Sequence, residues 1–244
     1  MQYVKTAPGE KAYEEMWVAM LKSFSKHLRE KGWFDICTFA MDERPMEVMQ
    51  KTLQVIRKAD SEFKVSLAGN FHKELEADIY DYCIPIGASY PAEVLARRAQ
   101  NNLPTTYYTC CTEAFPNTFT FSDPAEAAWM SYYSAKDHLD GYLRWAYNSW
   151  PKEPLLDSRF EAWAGGDTYL VYPGARSSIR FEKLIEGVQA HEKITILRKE
   201  FTDKKNKTGF KKLEKMLSTF NLRDFPEVPA AETVNKANKI LNSL

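Results

Sequence analysis

The sequence predicts an α/β fold built on parallel strands. Five short apolar, β-prone runs alternate one by one with helical runs, and such strict alternation implies parallel pairing through right-handed crossovers. No Gly-rich turn follows the first strand, which disfavours a dinucleotide-binding sheet. The chain has 244 residues, 44% of them hydrophobic, enough for one large domain or two small ones. The alternation by itself fits an open doubly wound sheet and a (β/α)8 barrel alike.

The elements follow in order. Residues 11–31 place Met16, Trp17, Met20, Leu21, Phe24 and Leu28 at helical spacing, and Gly32 stops the helix. "WFDICTFAM" is the first strand, and "PMEVMQKTLQVIRKAD" is a helix with Met46, Met49, Leu53 and Ile56 on one face. "FKVSLAG" is the second strand, "HKELEADIY" a short helix and "DYCIPIG" the third strand. Pro91 opens the next helix, "PAEVLARRAQNN", ahead of the fourth strand, "LPTTYYTCC". Asp123-Pro124 caps the helix "DPAEAAWMSYYSAKDHL", and "GYLRWAYNSW" is the fifth strand. Residues 151–178, rich in Pro, Gly and Asp, read as a long loop, and 179–199 as a helix. A lysine-rich link and helical pieces at 210–220 and 230–243 follow, so a barrel-like portion over 1–200 and a helical tail over 201–244 are expected. A full barrel takes about 250 residues, yet the tail uses up length without adding strands.

Composition excludes several classes. Lys plus Arg and Asp plus Glu both total 33, and a formal charge of zero argues against a general nucleic-acid binder. Cys37, Cys83, Cys110 and Cys111 form no CxxC pair and read as free, buried thiols on strands. The opening residues lack an apolar signal core, and no apolar run is long enough to span a membrane. The four histidines are scattered without an HExxH, and neither a GxSxG elbow nor a P-loop occurs, so no metal and no cofactor is expected.

The first strand stops at Asp42 and Glu43, in "TFAMDERP". Functional side chains gather at the carboxyl ends of parallel strands, yet an acid there also suits the start of the next helix. As a chemical pair, one ionised carboxylate would raise its neighbour and keep it protonated as a proton donor. The fifth strand ends in Trp145, Tyr147, Asn148 and Trp150, with Asn148 and Trp150 sharing parity, a stacking face beside a hydrogen-bonding amide that suits a sugar ring. Tyr107 and Tyr108 end the preceding strand in the same way, Asn70 ends the second strand, and Asp167 lies beside two glycines in the loop 165–174.

Three stretches together, "FAMDERP", "GYLRWAYNSW" and "GGDTYLVYPGARSSIRFEKLIEGVQAHEKI", resemble the catalytic domain of glycoside hydrolase family 123, over roughly residues 11–195. The last is the most specific: Tyr172-Pro173-Gly174, Ser178-Ile179-Arg180 and Glu186-Gly187 match in order. The resemblance implies a (β/α)8 barrel and substrate-assisted, retaining cleavage of terminal β-linked N-acetylhexosamine, with N-acetylgalactosamine foremost. Glu43 would be the acid and base and Asp42 would orient the 2-acetamido group. Asn70, Tyr108, Trp145, Asn148, Trp150 and Asp167 would contact the sugar of a glycan or glycolipid. It also implies a secreted or periplasmic bacterial protein.

Family members carry the first barrel strands, and usually a β-sandwich domain, before the helix that opens this chain. The expectation is therefore a partial barrel, a fragment or truncated relative with about five parallel strands. Its raw edges would be covered by the tail helices, by a second copy in a homo-oligomer, or by a missing N-terminal partner segment. Two other readings stand beside it: a non-catalytic carbohydrate-binding or assembly protein on the same scaffold, and an unrelated α/β enzyme in which Asp42 only caps a helix.

Overall fold

In the computed structural model the described residues are 4–224 and 227–244; residues 1–3 of the expected barrel portion and 225–226 of the expected tail lie outside them. The chain divides into two compact units, residues 1–104 and 105–244. Across them run five parallel strands with helices between, the α/β fold expected from the alternation.

The first unit holds α1 (Lys11–Lys31), β1 (Thr38–Asp42), α2 (Met46–Ala59), β2 (Lys64–Ala68), β3 (Asp81–Pro85) and α3 (Ala92–Gln100). β1 pairs with β2 and β2 with β3, both parallel. Val65 and Leu67 of β2 are buried on one face, while Tyr82, Cys83 and Ile84 of β3 are buried in an unbroken run, as in a strand covered on both faces. β1 alternates between exposed and half-buried, the signature of an edge strand. Met49, Leu53 and Ile56 of α2 enter the core as their spacing predicts. α1 differs. Only Leu21, Ser25 and Leu28 are buried, and Met16, Trp17, Met20 and Phe24 remain between 38% and 47% exposed, because one ridge of the helix packs and the rest does not.

Arg98 of α3 is wholly buried and ties the unit together. Its guanidinium donates to the carbonyls of Ile79 at 3.0 Å, Tyr80 at 2.6 Å and Pro104 at 2.8 Å, and meets Glu76 at 3.4 Å. Those carbonyls precede β3 and follow α3, so one buried cation ties the two segments together.

The second unit holds β4 (Thr105–Thr109), α4 (Ala125–Lys136), β5 (Gly141–Arg144), α5 (Ile179–Asp203), α6 (Lys207–Leu217) and α7 (Ala230–Leu241). β4 and β5 are parallel neighbours. Every residue of α4 from Ala125 to Ala135 is buried, its Glu126, Ser131 and Ser134 included, so the helix is covered all round. Its covers are α5, α6 and α7. Tyr132 stacks on Phe220 at 4.6 Å and donates to Asn238 at 2.5 Å, and Asn238 in turn donates to Glu186 at 3.0 Å.

Three expectations shift. The fifth strand ends at Arg144, so Trp145 to Trp150 leave the sheet. The expected helix over 72–80 shrinks to a single 3-10 turn, Glu76–Asp78, because the backbone closes i to i−3 bonds there, Leu75 N–H to the His72 carbonyl at 3.1 Å and Asp78 N–H to the Leu75 carbonyl at 2.9 Å. The four cysteines are free, but only Cys83 is buried; β4 ends at Thr109 and leaves Cys110 half-buried and Cys111 exposed in the following turn.

Gly187 explains one piece of the sequence motif. A methyl group there would lie 2.9 Å from Ala128 Cα and 2.6 Å from Ser131 Oγ, so α5 meets α4 at a distance only glycine allows. We predict that Gly187→Ala, despite the better helix propensity of alanine, destabilises the protein by about 1–3 kcal/mol through overpacking, read as a lower urea midpoint at unchanged slope. An equal or higher midpoint would show that the two helices move apart freely.

Candidate active site

The site is built from the carboxyl end of β1. The register pairs Asp42 with Ala68, so the next residue, Glu43, comes abreast of Gly69. A Cβ on Gly69 would sit 2.7 Å from Glu43 Cβ and 3.0 Å from its Oε2. Glycine is thus required for Glu43 to lie where it does. The Gly69 N–H continues the ladder to the Cys83 carbonyl at 3.0 Å, which holds the turn against β3.

Four contacts fix the Glu43 carboxylate. The Asn70 main-chain N–H donates to Oε2 at 3.1 Å, Asn70 Nδ2 reaches both oxygens at 3.1 Å, and His72 Nε2 lies 3.1 Å from Oε1. Tyr82 locks this loop from below: its hydroxyl accepts from His72 N at 2.8 Å and donates to the Asn70 carbonyl at 3.1 Å. Partial burial pushes Glu43 up, but the Asn70 side chain and N–H and then His72 outweigh it, and the carboxyl settles below its usual value. The expectation of an acid raised by its neighbour is therefore not met at Glu43, since the donors of Asn70 and His72 outweigh partial burial.

Asp42 turns away from Glu43. Its Oδ1 accepts the Glu43 N–H at 2.9 Å and its Oδ2 pairs with Arg44, whose Nη1 also donates to the Glu43 carbonyl at 2.7 Å. Neither acid caps α2, which begins at Pro45 without a side-chain cap. Asp42 shapes the bend that lets two consecutive residues leave the strand in the same region.

In the second unit the expected residues group differently. Tyr108 is half-buried on β4, opposite in parity to Tyr107, which is buried and donates to the Met130 carbonyl of α4 at 2.7 Å. Trp145 is 41% exposed directly after β5, with its ring 5.0 Å from Trp163. Its indole N–H donates to Asp167 at 3.3 Å. Asp167 is 0% exposed and bonded to Arg144 at 2.5 Å, with its second oxygen unpartnered among the described residues. The expected sugar contact from Asp167 is thus replaced by a supporting role: it holds Arg144 and Trp145 from beneath.

Asn148 and Trp150 do not share a strand. They sit on a loop stitched antiparallel to 168–171, through an Asn148–Tyr169 bridge, Ser149 N to the Thr168 carbonyl at 3.0 Å and Leu170 N to the Tyr147 carbonyl at 2.9 Å. Trp150 donates its indole N–H to the Val171 carbonyl at 2.7 Å, which fixes the ring and leaves its face available. Tyr147, Asn148, Trp150, Tyr172 and Phe181 line an open groove of about 370 Å³.

Sequence reasoning missed Gly69, His72 and Arg144. The first two follow the second strand within the run Gly69-Asn70-Phe71-His72, where a glycine at a strand end was the available signal. Among the described residues no group of three or more His, Cys, Asp or Glu side chains could hold a metal ion, and no helix is long and apolar enough to cross a membrane.

A carboxylate clasped at a parallel strand's carboxyl end, with aromatic faces displayed beyond another, is the equipment of a carbohydrate-active hydrolase. The chain belongs to the glycoside hydrolase 123 catalytic-domain family, whose model matches residues 1–197. A solved family 123 glycoside hydrolase from Clostridium perfringens, studied for glycolipid glycan hydrolysis, is similar at 26% identity and a TM-score of 0.81 over 99% of this chain. The match covers 46% of that protein, so this chain spans less than half its length and corresponds to part of a barrel. No curated protein matches the chain.

The Arg144–Asp167 pair gives a direct test of the support under Trp145. Asp167→Asn leaves a buried guanidinium uncompensated and is expected to cost about 3–5 kcal/mol in urea unfolding, with a changed tryptophan emission. The double variant Arg144→Met/Asp167→Leu should recover much of that loss; if it is as unstable as the single variant, the pair's hydrogen bonds and not its charge balance dominate.

Proposed function

We propose that the chain carries the acid–base half of a retaining glycosidase that removes terminal β-linked N-acetylhexosamine, with N-acetylgalactosamine the foremost candidate. The observation that carries the reading is the seat of Glu43: a carboxylate at a strand end, oriented by Asn70 and His72, in a chain of this family. In this mechanism Glu43 protonates the glycosidic oxygen while the sugar's own acetamido oxygen attacks the anomeric carbon. Asp42 accepts the acetamido N–H and offsets the charge that develops there. The leaving sugar departs, Glu43 takes a proton from water, and that water opens the cyclic intermediate from the other face, so configuration is retained. No carboxylate nucleophile is required, so the two acids need not stand at the separation of an ordinary retaining pair.

Asp42 pairs with Arg44 and must exchange that exposed partner for the acetamido group. Exposed ion pairs are worth little, about 1 kcal/mol or less, so the exchange is easy. The aromatic surfaces of Trp145, Tyr147 and Trp150 suit the apolar faces of sugar rings. A glycan or a glycolipid headgroup is the corresponding substrate class.

Hydrolysis of a chromogenic aryl β-N-acetylgalactosaminide tests the reading. Glu43→Gln is expected to lower kcat by about 10²–10⁴-fold, and Asp42→Asn by about 10²-fold. An unchanged rate in Glu43→Gln would refute the assignment, and sugar binding without turnover in the parent would favour a non-catalytic binding protein. Gly69→Ala supplies an independent check. The added methyl displaces Glu43 without touching its charge, so kcat should fall at least tenfold; full activity would place the working carboxylate elsewhere.

A further inference from the structure

In the proposed mechanism Glu43 must be an acid first and a base second. The structure equips it as a base: the donors from Asn70 and His72 all favour its ionised form. Something must supply the proton for the first half of the cycle. The only titratable side chain bonded to the Glu43 carboxylate among the described residues is His72, with Nε2 3.1 Å from Oε1. The imidazole is positioned and not adrift, since the main chain at 70–72 is held at both ends by the Tyr82 hydroxyl. Both side chains are about 30% exposed, so water reaches the pair and a bound sugar would displace it.

We propose that His72 and Glu43 share one exchangeable proton, which passes from His72 to Glu43 when substrate binds. The inference rests on the hydrolase reading above. The transfer breaks the Nε2–H bond and forms an Oε1–H bond, converting an imidazolium and a carboxylate into a neutral imidazole and a carboxylic acid. Net charge is zero on both sides. Loss of water penalises two separated charges more than two neutral groups, so sugar binding drives the proton toward Glu43. Glu43 then gives that proton to the leaving glycosidic oxygen, takes one from the attacking water, and returns it to Nε2. Over the cycle one water is consumed and the pair is restored.

The surroundings leave the pair poised. Asp42 and Arg44 flank Glu43 and neutralise each other. Lys73 and Glu74 follow His72 with opposite charges. Tyr82 stays a neutral phenol, because burial pushes its hydroxyl up, and the Arg98 guanidinium lies behind it at 5.9 Å from the ring. No uncancelled charge beside the pair forces the proton onto one partner. His72 acts through Glu43 and is a positioning residue.

Two measurements test this. In kcat/KM profiles on the chromogenic N-acetylgalactosaminide, His72→Gln keeps a hydrogen-bond donor but cannot store a proton. Its alkaline limb should move down by about 2 pH units, the gap between imidazole and carboxylate reference values, so that activity falls at least tenfold more at pH 7 than at pH 5. An NMR titration of the histidine ring protons should show a lower His72 midpoint in Glu43→Gln than in the parent. This reading stands even if His72→Gln folds poorly. A His72→Gln profile parallel to the parent's at every pH overturns the inference and leaves the hydrolase reading intact. A His72 midpoint unmoved by Glu43→Gln overturns it as well. Unchanged turnover in Glu43→Gln would instead overturn the hydrolase reading itself.

Discussion

The site depends on one constraint of register: Asp42 opposite Ala68, which brings Glu43 abreast of a residue with no side chain. Shift β1 by one position and its alternate faces exchange, so that Phe39 and Met41 turn outward and the carboxylate meets a different neighbour. The register is fixed from inside the unit. Val65 and Leu67 of β2 must face the core, α2 must lay Met49, Leu53 and Ile56 over the strands, and Arg98 binds the carbonyls that precede β3 and follow α3. Packing thus sets where Glu43 emerges, and the loop after β2 sets how it is held.

That division explains what was legible in the sequence. The five strands and the helices between them were readable because apolar periodicity is a local signal, and the core residues of α2 and β2 follow it. Asp42 and Glu43 were readable as residues at a strand end. The orientation of Glu43 was not, because it depends on Asn70 and His72, 27 and 29 positions further along the chain. The fifth strand misled for the opposite reason. Residues 145–150 are β-prone and aromatic, yet their backbone partners lie at 168–171, in a loop whose pairing no periodicity announces. Asp167 looked like a loop acid free to meet a sugar, and only the buried Arg144 beneath it shows why it faces inward.

The most specific part of the family-like stretch likewise turns out to be structural. Ser178 caps α5 by accepting the Phe181 N–H at 3.1 Å and donating to the Leu170 carbonyl at 2.5 Å. Arg180 is buried beneath Tyr169 and donates to the Gly166 carbonyl at 2.8 Å and the Thr118 carbonyl. Gly166 has a φ of +76°, and a side chain there would strike both Thr120 and that same guanidinium, so two features favour glycine at once. These residues shape the loops that display Trp145 and Trp150. They need touch no ligand to be indispensable to the surface that would.

The hydrogen bonds that hold Glu43 serve folding and chemistry in opposite senses. A carboxyl held below its usual value in the folded chain contributes stability that is present above the unfolded-state value, and this is lost as pH falls through the folded-state value. The clasp therefore strengthens the fold at neutral pH by the same free energy with which it resists protonation. A site that must donate a proton can escape that opposition only if the ligand changes the terms of the clasp. Asn70 cannot do so, because its donors favour the ionised form at every pH. A histidine can, since it holds the carboxylate as a cation and withdraws its charge on giving up a proton. In the proposed cycle, the imidazole in the third place of the clasp is what reconciles a resting carboxylate with a working acid.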